Sequence, residues 1–393
     1  MNHTLPPLRL TGASVLRDKT LAQGALSLIE GRITDDPLPE IDLTGYYILP
    51  GIVDLHGDAF ERHLAPRPTA RFPIRMGLAS TDRDLASNGV TTAWLAQSWS
   101  WEGGLRGPDY TEELLAEWQA YRPEALTDMR VQIRCETHMP DTRDRLIAAV
   151  ERFGVDYVIF NDHLPEALQM VTTAPHRLAH WAEREGGTIE DFAARVRAAR
   201  DTAPNVPRHL CALARAFDRL GVVYGSHDDP DGETRDRYHH IGAHVCEFPT
   251  RVNAASVART YGDPVIMGAP NVVRGGSQSG NVSAVRLISN RLCTALVSDY
   301  HYPTLSAAAW KLAETGVKPF AEAWEMISTA PARIMRLDDR GTLAPGKRAD
   351  LVVMNPETRQ IEATIAAGRL VWLSGEAGTR FFAGLTRSRY AAE

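Results

Sequence analysis

The chain has 393 residues, 44% of them hydrophobic and 23% charged, and a net charge of −6. This is the make-up of a globular protein in water, long enough for one large domain and a smaller companion. The acidic balance argues against general nucleic-acid binding, which needs a basic face, yet admits a small anionic substrate because the local field outweighs the total.

The N-terminal stretch MNHTLPPLRL lacks the basic region and long apolar core of a signal peptide. No apolar run is long enough to cross a bilayer, so no membrane partner is expected and a cytoplasmic location is the default. Residues 8 to 48 read as short strands and turns. Leu8, Leu10, Val15, Leu26, Leu28 and Ile33 have the spacing of half-buried strands, and Glu30 to Arg32 reads as a turn.

From residue 49 the pattern changes. Eight apolar runs follow, at 51–58, 90–97, 130–137, 156–163, 222–229, 243–248, 264–270 and 294–300. Helical segments such as TEELLAEWQAY, DRLIAAVERFG and RHLCALARAFDRLG lie between them. Strands alternating with helices predict an α/β fold, and eight such units predict a (β/α)8 TIM-like barrel spanning 49–341. The long connection 164–207 carries TIEDFAARVRAAR, a helix with Thr188 as N-cap and Glu190 and Asp191 in its first turn. It reads equally well as a lid or as a passive elaboration. The C-terminal stretches GTLAPGKRADLVVMN and IEATIAAGRLVWLSG return to strand texture. Residues 1–48 and 342–393 together are therefore expected to build a small β-sandwich domain. The four cysteines, Cys135, Cys211, Cys246 and Cys293, form no CxxC pair and no dense framework, which excludes a zinc knuckle and a disulphide scaffold.

Metal-type side chains stand at the ends of these runs, where a barrel places its active site. His56 and Asp58 end LPGIVDLHGD and, two residues apart on a strand, face the same way. Glu136 ends VQIRCE; it is either a carboxylate bridging two cations or a partner of a nearby arginine such as Arg134, with His138 a competing ligand on the same face. His163 ends DYVIFNDH, and its alternative is a histidine bonded to backbone. His227 ends GVVYGSHDD, where Asp228 and Asp229 need donors or a cation once buried. Both are assigned to the shell behind the ligands, where Asp229 could orient a ligand histidine. Asp299 ends CTALVSDYHYP and serves as ligand and catalytic base, a carboxylate beside metal-activated water being able to take its proton. The bland alternative for Asp299 is a helix N-cap. Six ligands exceed the three of an open mononuclear zinc site, so two divalent ions are expected. Zinc heads the choices, and manganese, iron or nickel suit the same ligands.

Two further features point to phosphate. In GAPNVVRGGSQSGNVS, Gly275 and Gly276 permit close backbone approach, Ser277, Ser279 and Asn281 can donate to phosphate oxygens, and Arg274 can grip one bidentately. No GK[ST] follows, so this is not a Walker loop, and composition alone reads as a flexible turn. The segment after it looks helical, so its N-terminus would add a favourable dipole. In FERHLAPRPTARFPIRM, Arg67 lies between two prolines in an arginine cluster leaving the first strand, either a solvated basic loop or a clamp for a polyanion.

Taken together these residues resemble the amidohydrolase superfamily, and GTLAPGKRADLVVM resembles its return to the small domain. The superfamily commonly carries HxH on the first strand and often a modified lysine as bridge, where this chain has His56-x-Asp58 and Glu136. A narrower resemblance covers essentially the whole chain. LPGIVDLHGD, HLAPRP, SHDD, EFPT, MGAPNVVRGGSQSGN and SDYHYP are similar to the PhnM family of alpha-D-ribose 1-methylphosphonate 5-triphosphate diphosphatases, of the carbon–phosphorus lyase pathway. The resemblance implies hydrolysis of a sugar triphosphate to the 5-phosphate and pyrophosphate, with the six residues above as ligands and the glycine loop meeting phosphate. The alternatives are hydrolysis of a cyclic amide or N-acyl substrate on the same fold, and a non-catalytic scaffold. Barrels of this kind often pair as homodimers, but no interface is legible.

Overall fold

The computed structural model describes residues 4–67, 70–173, 187–277 and 280–390, with side chains as far as 386. The N-terminal stretch forms β1 (Leu8–Arg17), β2 (Thr20–Ile29), β3 (Arg32–Thr34), β4 (Glu40–Asp42) and β5 (Tyr47–Pro50). The β2–β3 turn falls at Glu30 and Gly31, both with positive φ. The barrel strands follow: β6 (Ile52–Gly57), β7 (Val90–Trp99), β8 (Asp128–Glu136), β9 (Tyr157–Asn161), β10 (Val223–His227), β11 (Val245–Glu247), β12 (Val265–Gly268) and β13 (Ala295–Val297). All eight are paired in sequence order and in parallel, so the expected barrel is present. A parallel bridge between Gly57 and Asp299 joins its first and last strands.

After the barrel come β14 (Leu351–Met354), β15 (Ile361–Ala366) and β16 (Arg369–Leu373). They extend the N-terminal sheet in the order β16-β15-β14-β5-β1-β2-β3, with β4 alongside β1. The seam is antiparallel, with Val352 opposite Leu49 and Val353 opposite Ile48. One apolar core draws on both chain ends, from Leu10, Leu26 and Ile48 to Leu351, Val353 and Phe381. This mostly antiparallel sheet fits the expected sandwich.

The helices read from sequence have clear local causes. Arg143–Phe153 and Val206–Leu220 each stop at a left-handed glycine, Gly154 and Gly221. Ile189–Asp201 starts in a full capping box, with Thr188 accepting from the Asp191 N–H and the Asp191 carboxylate accepting from the Thr188 N–H. In the long insertion this helix packs with Leu164–Thr173 around Trp101, Met170, Phe192 and Val196. The stretch between them, 174–186, lies outside the described residues. The helix Gly375–Tyr390 is an addition to the elements expected from sequence, and it seals the small core with Ala377 and Phe381.

Candidate metal centre

The closing seam of the barrel builds the centre of the site. The Asp299 N–H donates to the His56 carbonyl, and the Asp58 N–H donates to the Asp299 carbonyl, both at 2.9 Å. Residues from the two ends of the barrel thus lie on one rung. Beneath them the buried Asp54 accepts from the Ser298 N–H at 2.9 Å and from its hydroxyl. Gly57 has no room for a side chain: a Cβ there would stand 2.9 Å from both Asp54 Oδ2 and Tyr302 Cε1. Asp228, Phe248 and Asp299 all hold positive φ as their strands end. Such backbone costs on the order of 1–3 kcal/mol per residue and tends to collect at functional sites.

A cavity of about 220 Å³ opens here, lined by His56, Asp58, Arg134, His227, Asp228 and Asp299 and also by Arg274, Gly276, Ser277 and Asn281. Two groups of metal-type atoms occur in this region: His56, His227 and Glu247, of which the two histidines line the cavity, and Glu102, Glu136 and His163, which do not line it, each with ligand atoms within 4.8 Å of one another. His227 stands between the groups, its ring 5.3 Å from that of His56 and 6.5 Å from that of His163. Glu136 Oε1 is 2.6 Å from His163 Nδ1, and Glu136 Oε2 accepts from the His163 N–H and from Trp101 Nε1, each at 3.2 Å. Trp101 belongs to the core of the insertion, which therefore reaches the site through one indole.

The electrostatics are those of a cation site. Burial, together with the neighbouring Asp58 charge, pushes the Asp299 carboxyl up to about 6. Burial also favours neutral His227, whose pKa is lowered. Burial works the same way on His56 and His163, but the Glu247 and Glu136 carboxylates outweigh it and raise both. Asp228 goes down to about 2 despite burial, because His227 lies beside it. The buried His227 Nδ1 lies 3.1 Å from Asp228 Oδ2 but out of hydrogen-bond alignment, so it has no hydrogen-bond partner among the described residues. A buried imidazole nitrogen left in this way, among converging carboxylates, fits a divalent ion.

Other predicted residues lie elsewhere. Asp229 is engaged away from the His56, His163 and His227 imidazoles, accepting from the Ser226 hydroxyl at 2.8 Å and lying 3.4 Å from the buried Arg235. His138 contacts the Ala199 carbonyl and Asp162, and does not line the cavity. Arg67 is exposed and outside the cavity wall, while its neighbours Arg62 and Arg75 pair with Asp84 and Glu124. Gly275 ends the helix Ala269–Arg274 with φ 84°, one residue before the lining Gly276. Ser279 lies outside the described residues. The helix after the loop, Ala284–Ser289, has only six residues, and Asn271 and Ser283 already accept from its Ala284 and Arg286 N–H groups. Two of the N–H groups in its first turn are therefore already engaged within the protein.

Three residues of the site were not assigned to it from sequence. Glu247 is wholly buried, and its carboxylate meets His56 Nδ1 at 2.9 Å, Gln132 Nε2 at 2.8 Å and the Tyr157 hydroxyl at 2.6 Å. Arg134 reaches towards Asp58 at 3.8 Å and, with the Asn161 amide oxygen turned to face it, donates twice to that oxygen at 3.2 Å. Glu102, on a loop, pairs with Arg106 at 3.3 Å. Glu247 and Arg134 left a signal: one ends VCE as Glu136 ends RCE, and the other stands two residues before Glu136 on the same strand face.

Comparison with known proteins agrees with this geometry. Residues 297–377 match the family model described as "Amidohydrolase family". The alpha-D-ribose 1-methylphosphonate 5-triphosphate diphosphatase of Escherichia coli (strain K12) is 31% identical over 373 residues, 90% of this chain and 96% of that protein. A putative prolidase from Bifidobacterium longum shares the fold with TM-score 0.63 at 16% identity, over 98% of this chain and all of its own. A dihydropyrimidinase from Brevibacillus agri does so with TM-score 0.62 at 12% identity, over 95% of this chain and 97% of its own.

Proposed function

Since the chain belongs to the family of alpha-D-ribose 1-methylphosphonate 5-triphosphate diphosphatases, metal-dependent hydrolases of the amidohydrolase superfamily, we propose that it cleaves such a sugar triphosphate to the 5-phosphate and pyrophosphate. The observation carrying this reading is a single cavity whose wall joins His56, Asp58, His227, Asp228 and Asp299 to a second set of residues, Arg274, Gly276, Ser277 and Asn281. An amide has no need of the second set; a polyphosphate does.

His56, Asp58, His227 and Asp299 would hold one divalent ion and Glu136 and His163 a second, with His227 between them and zinc the first choice. Bound ions supply Lewis-acid polarisation of phosphoryl oxygens and make water more acidic. Arg274, whose Nη1 donates to the Tyr300 hydroxyl at 3.2 Å, is aimed by that contact across the cavity mouth, where it neutralises charge on the triphosphate. Ser277 and Asn281 fix the chain of phosphates beside it. Asp299 takes the proton of the attacking water as its oxygen joins phosphorus at the α–β bridge. The bridging P–O bond then breaks and pyrophosphate leaves with the electron pair. Arg134 keeps Asp58 in place from below. The test is release of pyrophosphate from the ribosyl triphosphate by enzyme loaded with metal, with hydantoin and N-acyl compounds run alongside. Pyrophosphate from the first and no turnover of the others is expected; no phosphate product from any sugar triphosphate would reject the reading.

A further inference from the structure

On the face of the barrel opposite the cavity, His239, His244 and Asp263 converge. β11 starts at Val245 and β12 at Val265, so these residues lie at the N-terminal ends of the strands, whereas the cavity lies at their C-terminal ends. We propose that they form a second transition-metal site, taking zinc or an ion of similar character, unconnected with the catalytic reading.

The geometry is that of ligands rather than of loose surface groups. Asp263 is 4% exposed. Its Oδ2 is 2.9 Å from His239 Nδ1 and its Oδ1 is 3.3 Å from His244 Nδ1. One ligand atom from each of the three lies within 4.8 Å of the others. Around an ion with metal–nitrogen bonds of about 2.0–2.1 Å, neighbouring tetrahedral ligand atoms stand about 3.3 Å apart; each imidazole meets its own Asp263 oxygen near that spacing, and an ion would replace the His239 Nδ1–Asp263 Oδ2 hydrogen bond. His239 is held in place by stacking on Tyr261, centroids 3.8 Å apart and planes within 9°. His244 is the exposed member, its side chain 60% accessible, which gives an ion a way in.

The local field adds to this. Helices Gly232–His240 and Val252–Tyr261 both end here, and helix C-termini carry partial negative charge that favours a cation. Arg259 Nη1 donates at 3.1 Å to the Asp263 backbone carbonyl, while at the carboxylate the competing cation is Arg235, with Nη2 3.7 Å from Asp263 Oδ2. Its fork is directed elsewhere: Nη1 donates to the Ser226 hydroxyl at 2.8 Å and the Val245 carbonyl at 3.1 Å, and Nη2 donates to the Ala243 carbonyl. Two imidazoles and a carboxylate, without thiolate, suit zinc, copper or nickel and leave a position for water. An ion here would tie two successive strand–helix units together and stabilise them by mass action.

The test uses the full chain stripped with chelator and titrated calorimetrically with zinc alone. His244→Ala should lose one equivalent of zinc relative to wild type while keeping its turnover, and zinc should raise the melting temperature of wild type more than that of the variant. His244→Cys should regain the equivalent and, with cobalt, show a thiolate charge-transfer band. His227→Ala removes ions of the catalytic cavity and spares this one, so failure of the catalytic reading and failure of this site register in different proteins. Equal zinc stoichiometry and affinity in wild type and His244→Ala, or no charge-transfer band in His244→Cys, would overturn the proposal.

Discussion

Glu247 offers a direct test of how the site is held. Its carboxylate accepts from three donors, Tyr157 at 2.6 Å, Gln132 at 2.8 Å and His56 at 2.9 Å, and none of them reaches solvent. By fixing the proton on His56 Nδ1 it leaves Nε2 as a lone pair for an ion. Glu247→Gln keeps the volume and brings an NH2 into a nest of donors. If the amide nitrogen turns to His56, the imidazole must accept at Nδ1 and carry its proton on Nε2, which then cannot bind metal. If the nitrogen turns the other way, Gln132 can flip to present its unpartnered Oε1. The amide oxygen still accepts from His56, but the negative charge that made the imidazole a strong ligand is gone. Loss of a carboxylate behind a ligand histidine typically costs ten- to a hundredfold in metal affinity or activity, about 1.4–2.7 kcal/mol. The assay is zinc affinity by competition with a fluorescent chelator, followed by turnover against metal concentration. Activity should return at high metal, a recovery that a merely structural lesion would not show. Metal affinity within threefold of wild type in a folded Glu247→Gln protein would refute the reasoning.

The remaining predictions follow from the same geometry. His227→Ala, at the ring 5.3 Å from that of His56 and 6.5 Å from that of His163, should strip the cavity ions and lower kcat/KM at least about a hundredfold, with circular dichroism unchanged; full cavity occupancy would disprove the ligand assignment. Arg274→Ala should remove a charge-assisted contact worth about 1.5–3 kcal/mol and raise KM for the triphosphate at least tenfold, and a KM equal to wild type counts against the polyphosphate wall. Arg235→Leu strands the buried Asp229, and breaking a buried pair in this way costs about 3–5 kcal/mol; denaturant unfolding should register it. His209 is 2% exposed, its two ring nitrogens have no hydrogen-bond partner among the described residues, and burial with the nearby Arg143 and His138 charges lowers its pKa from 6.5 to about 4. The unfolded chain therefore binds this proton first, so stability is intact above pH 6.5 and falls towards pH 4, by at most about 3 kcal/mol. His209→Leu should flatten that slope in urea titrations run across the window, and an unchanged slope would exclude His209 as its source.

How much of this was legible depends on where each residue takes its instructions. His56, His227 and Asp299 follow from one local pattern, an apolar run that stops at a metal-type group, because parallel strands buried on both faces must be apolar until they emerge. Asp58 lies one residue past β6, so strand parity alone does not place it; its backbone bond to Asp299 does, across a seam joining residues about 240 positions apart, and no window of sequence contains that partner. Glu247 obeyed the same pattern as Glu136, but its strand has only three residues and offers too little periodicity to mark its end. Glu102 sits on a loop, where no periodicity exists. The helix Gly375–Tyr390 escaped for the opposite reason: Gly375, Gly378 and Gly384 lower its propensity, yet at Gly384 a Cβ would stand 2.7 Å from Ile41 Cγ1. The glycine that weakens the local signal is what lets the helix lie close on the sheet. Gly57 combines both lessons. Between the proposed ligand His56 and the neighbouring Asp58, its bare Cα lets the first and last strands close over Asp54 and Tyr302, so the hydrogen bonds that shut the barrel are the same ones that aim His56, Asp58 and Asp299. A Gly57→Ala chain would have to open that seam, and metal affinity and barrel stability should therefore fall together.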